Sequence, residues 1–178
     1  KSGSYSIDSN PPFSDHRSQV SHIPDDSSFR GGVVGLTEIT GVSSILVCGT
    51  GTITPTSVSL PVDTLDTWEQ YEGMLLDFPQ GLYATETYVL GRYGEVSLSV
   101  NDRLYNPTNI AAPGAAAIAQ QELNDRSRIQ LDDTYTNQNR DPIAYPGAGL
   151  TYTNTLRGGD YVANLTGVLD YSFGVYKV

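Results

Sequence analysis

Polar and apolar residues alternate with a period of two along several short stretches of the chain. In EVSLSV (95–100), Val96, Leu98 and Val100 fall on one side and Glu95, Ser97 and Ser99 on the other. That is the pattern of a strand with one buried and one wet face. The preceding GLYATETYVL (81–90) is rich in β-branched and aromatic residues. Gly91-Arg92-Tyr93-Gly94 lies between the two, and a glycine at each end predicts a hairpin displaying an arginine and a tyrosine at its tip. SVSLPV (57–62), GMLLDFPQ (73–80) and RIQLDD (128–133) predict further strands, with Pro61 marking an edge or a strand end. Upstream, GGVVGLTEITG (31–41) and SSILVCGTG (43–51) read as strands broken by glycine turns. The closing run, GDYVANLTGVLDYSFGVYKV (159–178), places Leu165, Leu169, Tyr171, Phe173 and Val175 on one side.

Two segments depart from that period. In DTLDTWEQYEG (63–73), Asp63 is placed to cap a short helical turn through Glu69, with Trp68 and Tyr71 facing inward. The helix predicted over 115–128 has a narrow apolar stripe of Ala115, Ile118, Ala119 and Leu123, and Pro113 stands near its first turn. Residues 1–30 form a polar head with few apolar anchors, too few to offset its ordering entropy alone. Three regions follow: the head (1–30), a partial β region (31–62), and a β domain (63–178) that carries the helix. Short strands, glycine turns and one interposed α-helix predict a mainly β fold, a small barrel or a barrel pair.

Composition narrows the function. Only 17% of the 178 residues are charged, and ten basic residues against twenty acidic ones leave a formal net charge of −10. Nonspecific nucleic-acid binding needs clustered Lys and Arg, so a whole-surface DNA binder is not expected; a local basic patch or a bridging cation is the remaining route. No apolar run approaches the ~20 residues of a membrane span, and no membrane partner is expected. The lone Cys48 excludes an internal disulfide and reads as a small buried hydrophobe. The start at Lys1 matches both a trimmed secreted precursor and an arbitrary fragment.

Candidate chemistry is sparse. LDDTYTNQNRDP offers Asp132, Asp133, Asn137, Asn139 and Asp141 as oxygen donors at roughly alternating spacing, which admits calcium or magnesium. It has no central glycine and no glutamate at the twelfth position, so it is not an EF-hand, and a solvated turn is the simpler reading. Arg92, Tyr93, Arg103 and Tyr105 are the best set for stacking bases beside cations. The competing reading packs Tyr93 across the hairpin and pairs Arg92 with a nearby carboxylate. Arg157-Gly158-Gly159-Asp160 reads as a turn into the last strand, and Asn164-Leu165-Thr166 matches a glycosylation sequon that carries little meaning by itself.

Several blocks carry a resemblance: YEGMLLDFPQ (71–80), ETYVLGRYGEVSLS (86–99), RLYNPTN (103–109), APGAAA (112–117), IQLDD (129–133) and LRGGDYVANLTGVLDYSFGVYKV (156–178). They resemble the segment preceding the nuclease domain in ExeM/NucH-type extracellular endonucleases, and GGVVGLTEITGVSSILVCGTG (31–51) resembles the end of the OB-like module before it. The resemblance implies an OB-like β-barrel region of a secreted bacterial enzyme. It implies no catalysis by this chain, because in such enzymes a separate metal-dependent endonuclease/exonuclease/phosphatase domain cuts the DNA. Ser14-Asp15-His16 looks like the end motif of that nuclease class. In that class the motif follows a core strand and is joined by Asn, Glu and a second Asp–His pair. Here it follows Pro-Pro-Phe in a polar segment, and only one other histidine, His22, exists.

The leading expectation is therefore a non-catalytic, OB-like extracellular domain that supports or positions a nuclease domain and contacts DNA. The alternative is a self-assembling extracellular structural protein, a homo-oligomer held by strand exchange through residues 1–30. A carbohydrate- or surface-binding module, suggested by twelve tyrosines, is a third.

Overall fold

The computed structural model describes residues 43, 44, 46 and 49–178. The polar head, the strand expected over 31–41, Ser14-Asp15-His16 and residues 45, 47 and 48, Cys48 among them, lie outside the described residues; the described part of 43–51 is not in a strand.

The fold is mainly β, in two sheets. The first has three strands, β1 (Thr56–Ser57), β2 (Leu75–Phe78) and β7 (Leu165–Val168), in the order β1-β2-β7. The second has six, in the order β6-β3-β4-β5-β9-β8: β3 (Leu82–Glu86), β4 (Val96–Val100), β5 (Arg128–Leu131), β6 (Tyr161–Val162), β8 (Asp170–Ser172) and β9 (Val175–Lys177). The expected barrel is not seen as one closed ladder. Instead, two chain segments bend from one sheet into the other. Only Pro79–Gly81 separates β2 from β3, and only Leu169 separates β7 from β8. Leu76 and Phe78 on β2 and Leu82 and Ala84 on β3 point into one core, joined by Val96, Leu98, Ile129, Leu165 and Leu169. Trp68 lies beneath them in a 3-10 helix, Leu65–Tyr71, with its ring 6.4 Å from that of Phe78. Burying side chains of this size contributes about 2–3 kcal/mol each.

The strand pattern read from the sequence holds at the core and fails in instructive places. β3 and β4 pair antiparallel, Leu82 opposite Val100, but the expected tip is a helical turn, α1 (Leu90–Tyr93), and β3 ends at Glu86. Gly94 caps that turn at φ 75°, and Gly91 needs no positive φ. β4 is buried on both faces, Ser97 and Ser99 included. Its serines are not wet because each has an internal acceptor: Ser97 Oγ donates to Gln130 Oε1 at 2.5 Å, and Ser99 Oγ to the Asp102 carbonyl at 2.8 Å.

The strand expected over 57–62 shrinks to Thr56–Ser57, although Val58, Leu60 and Val62 do face the core. Backbone bonds continue at Val58, which donates to the Asp77 carbonyl, and at Val62, which donates to the Arg126 carbonyl, both at 2.9 Å, and side chains supplement them. The Gln80 amide brackets Leu60, accepting from its N–H at 2.7 Å and donating to its carbonyl at 2.6 Å. Arg126 donates to the Val62 carbonyl at 3.0 Å. The 3-10 helix is capped by Thr64, not Asp63, through a reciprocal contact with Thr67.

The predicted helix forms as α2 (Ala115–Arg126), but its expected apolar stripe faces outward: Ile118 is 61% and Leu123 39% exposed. Ala117 and Asn124 are the buried residues. Polar contacts set that orientation, because Asn124 Nδ2 donates to the Tyr105 carbonyl at 3.0 Å and Gln120 Nε2 donates to Asn124 Oδ1 at 2.9 Å. No described helix is long and apolar enough to cross a membrane.

The final run also breaks up. Ser172 pairs with Val175, leaving Phe173 and Gly174 as a two-residue turn with φ 53° and 79°. Two successive positive φ values are what a type I′ hairpin turn demands, and Asn-Gly is the usual solution. Phenylalanine is a poor one, since its Cβ crowds the following carbonyl in that region. The Phe173 ring is 92% exposed, so no burial offsets the strain.

Two substitutions test this account by thermal or denaturant unfolding. Phe173→Asn is expected to stabilise the protein by about 0.5–1 kcal/mol, because asparagine tolerates the left-handed region. Gly94→Ala is expected to destabilise it by about 2 kcal/mol or more, since the new Cβ meets both the positive φ and the Asp133 carboxylate. A neutral Gly94→Ala would show that the turn is free to move.

Candidate binding cleft

A cleft of about 690 Å³ opens where the loop between β3 and β4, the loop after β5, and the β8–β9 hairpin come together. Its rim is aromatic, with Tyr93 (37% exposed), Tyr135 (44%) and Phe173. Its floor is ionic. The Lys177 ammonium lies 2.8 Å from Glu95 Oε1 and 2.7 Å from Asp132 Oδ2, and its side chain is only 6% exposed. Glu95 is fixed in turn: Gln130 Nε2 donates to its other oxygen at 3.2 Å, and Gln130 accepts from Ser97. Asp132 Oδ1 accepts from the Thr134 backbone N–H at 2.8 Å. Burial works against the Lys177 ammonium, but hydrogen bonds and charge from Asp132 and Glu95 outweigh it and hold its pKa above the usual lysine value. The paired ammonium anchors the strand ends that carry Glu95 and Asp132.

Each rim ring carries a cation. The Arg92 guanidinium lies 5.1 Å from the Tyr93 ring centre, that of Arg140 lies 3.4 Å from Tyr135, and Lys177 Nζ lies 5.4 Å from Phe173. The loops are cross-tied as well: Arg92 Nε donates to Gln138 Oε1 at 2.9 Å, and Asn139 N–H donates to the Arg92 carbonyl at 2.8 Å. Asp170 also lines the cleft. It stands opposite Lys177 in the β8–β9 register, yet the ammonium turns away from it towards Glu95 and Asp132. Among the lining residues carboxylates outnumber the ammonium three to one, while the Arg92 and Arg140 guanidiniums stand at the rim. A second cleft of about 640 Å³, lined by Trp68, Arg128, Tyr171 and Tyr176 among others, lies across β9 and shares Val89, Glu95 and Val175 with the first.

The sequence-predicted site residues divide between places. Arg92 and Tyr93 form one stacked pair at the start of β4, while Arg103 and Tyr105 form another, 4.6 Å from guanidinium to ring, beyond its end. A five-residue strand spans roughly 16 Å, so the four side chains do not share one patch. Arg92 pairs with an amide, not with a carboxylate. Of the oxygen donors proposed for a cation, Asp132 is held by Lys177, and Asp133 by the Tyr135 N–H at 3.0 Å and more loosely by Arg140 at 3.4 Å. Asn137 and Asp141 are exposed, and no group of three or more His, Cys, Asp or Glu converges among the described residues. Glu95, Lys177, Asp170, Tyr135 and Phe173 escaped the sequence reading. Lys177 did leave a signal, for the chain has only one other lysine, Lys1, and a lysine in an apolar strand requires a buried partner.

Fold and cleft together describe a mainly β domain with an aromatic-rimmed cleft. Residues 49–178 match the family described as Domain of unknown function (DUF8508). The chain belongs to that family, and the match covers the whole two-sheet body described above. No curated protein and no solved structure matches the chain significantly.

The ionic floor makes two predictions. Lys177→Met is expected to cost about 3 kcal/mol by leaving two carboxylates unpaired, and adding Glu95→Gln and Asp132→Asn should recover much of that loss in chemical denaturation. Alkaline pH should also destabilise the fold. Burial and the nearby Asp133 and Asp132 push the Tyr145 hydroxyl up to about 12, and burial with Glu69 raises Tyr176 too. With Lys177 also raised, the folded state holds more protons than the unfolded chain above pH ~10. These groups' contribution is full below that pH and fades as pH rises through their folded values. A melting temperature unchanged between pH 8 and 11 would contradict the assignment.

Proposed function

We propose that this chain is a non-catalytic, OB-like domain of a secreted bacterial endonuclease, supporting or positioning a separate metal-dependent nuclease domain and contacting DNA. The observation that carries this reading is where the cleft lies. If β2–β3 count as one bent strand and β6–β8 as another, the body has five strands, with β4, β5 and β9 completing the set. Successive pairings are antiparallel except β5 with β9. An OB fold is a five-stranded, partly open Greek-key barrel whose ligands are held by the loop between its first two strands and the loop between its last two. Here those loops are 87–95, which carries Tyr93 and Glu95, and Phe173–Gly174. Both line the cleft.

The resemblance of the ordered blocks to the segment before the nuclease domain in ExeM/NucH-type enzymes supports the extracellular, nuclease-associated part of the reading. The pairing of Lys177, Glu95, Asp132, Asp133 and Arg140 among themselves supports a binding role over an acid–base one, because each charge is used to hold a loop.

Fluorescence anisotropy with labelled single- and double-stranded DNA at low salt tests the DNA contact, and incubation of the same DNA with magnesium tests for cutting. Weak single-strand binding that falls steeply with salt, without cleavage, is the expected result. No binding at tens of micromolar protein ends the DNA-contact reading. Cleavage that persists through stringent purification ends the non-catalytic one.

A further inference from the structure

A cleft lined by three carboxylates is an odd place for a nucleic acid, and the chemistry of its walls resolves the conflict. A phosphate is repelled by Glu95, Asp132 and Asp170, and the single ammonium is already committed to two of them. A nucleobase carries no charge, offers a planar face to aromatic rings, and presents N–H donors on its edge. The rim suits such a guest. Its three rings are exposed and each is backed by a protein cation, the combination used where bases stack on aromatics beside guanidinium groups. Arg92, exposed at the rim, is placed for the phosphate that must stay outside.

We propose that the cleft holds one unpaired base of single-stranded DNA, stacked against Phe173 and Tyr93, with the Asp170 carboxylate accepting from an exocyclic amino group. This rests on the DNA-contact reading above and adds to it a position and a preference. Asp170 is the natural edge reader because Glu95 and Asp132 already hold Lys177. An ionised carboxylate only accepts hydrogen bonds. Cytosine offers its N4 amino group, whereas thymine offers one ring N–H between two carbonyl oxygens that a carboxylate repels.

The strained turn belongs to the same picture. Phe173 occupies a backbone region that asparagine or glycine fills more easily, and it gains no burial there. Unfavourable backbone geometry of this kind gathers at ligand-contacting positions. The ring's place on the cleft rim gives the strain a purpose.

The test is competition binding of short oligo-dC and oligo-dT to the full chain at low salt, with Phe173→Asn and Asp170→Asn as variants. The parent is expected to prefer oligo-dC by about tenfold, the scale of one well-placed base-edge contact. Asp170→Asn should bring that ratio close to one without weakening oligo-dT, since it removes a repelling charge. Phe173→Asn, which the turn geometry expects to fold better, should weaken both oligomers by about fivefold or more through loss of stacking. If both variants bind like the parent while Arg103→Ala weakens binding, the base site is wrong and DNA contact stands elsewhere on the surface. If neither oligomer binds at all, both readings fall. A parent that binds oligo-dT as tightly as oligo-dC overturns the carboxylate's role.

Discussion

The ammonium of Lys177 joins three segments that are far apart in sequence. It reaches Glu95 at the head of β4 and Asp132 just past the end of β5 from the last strand of the chain. That strand has little else to hold it on this side, for β5 and β9 meet at a single paired position, Gln130 opposite Lys177, extended by backbone bonds between Val178 and both Gln130 and Asp132. Parallel pairing of that length is weak. The ion triad converts it into a fixed junction, and the β8–β9 hairpin leans over the cleft from that junction. The loop after β5 is located by the same contact, since Asp132 both binds Lys177 and accepts from Thr134 to start the turn.

The junction works because the body beneath it is rigid. Two bent segments each serve both sheets, so the core is continuous across them, with Leu76, Phe78, Leu82 and Leu169 almost completely buried. Side chains supplement the backbone pairing: Gln80 brackets Leu60, and Arg126 holds Val62 with both its carbonyl and its guanidinium. Tyr161 packs over Gly81 at the bend and meets Tyr83 edge-on at 5.3 Å, covering a position with no side chain of its own. The loops rest on that frame, so the aromatic rim is held by a scaffold more stable than the loops themselves.

The sequence made the buried half of this structure legible. Alternation at Val96, Leu98 and Val100 and at Leu76 and Phe78 reports burial directly, because a strand's two faces see different solvents. It misled wherever a polar group took the inside place. Ser97 and Ser99 look solvent-facing until their acceptors are known. The helix misled the same way: Ile118 and Leu123 look like its core face, yet Asn124 turns the other side inward through Tyr105, nineteen residues away. The cleft was the least legible part. Arg92 and Tyr93 stood out as tip residues, but Glu95, Asp132 and Lys177 are separated by 37 and 45 residues, and only pairing of β4, β5 and β9 brings them together. Strand register supplied what local pattern lacked.

One strand, β9, is the partition between the two clefts, with Val175 and Glu95 touching both spaces. The two tip residues divide between the spaces, Phe173 lining the first and Gly174 the second. A single thin hairpin, anchored at Lys177, is thus the common wall of two neighbouring chambers.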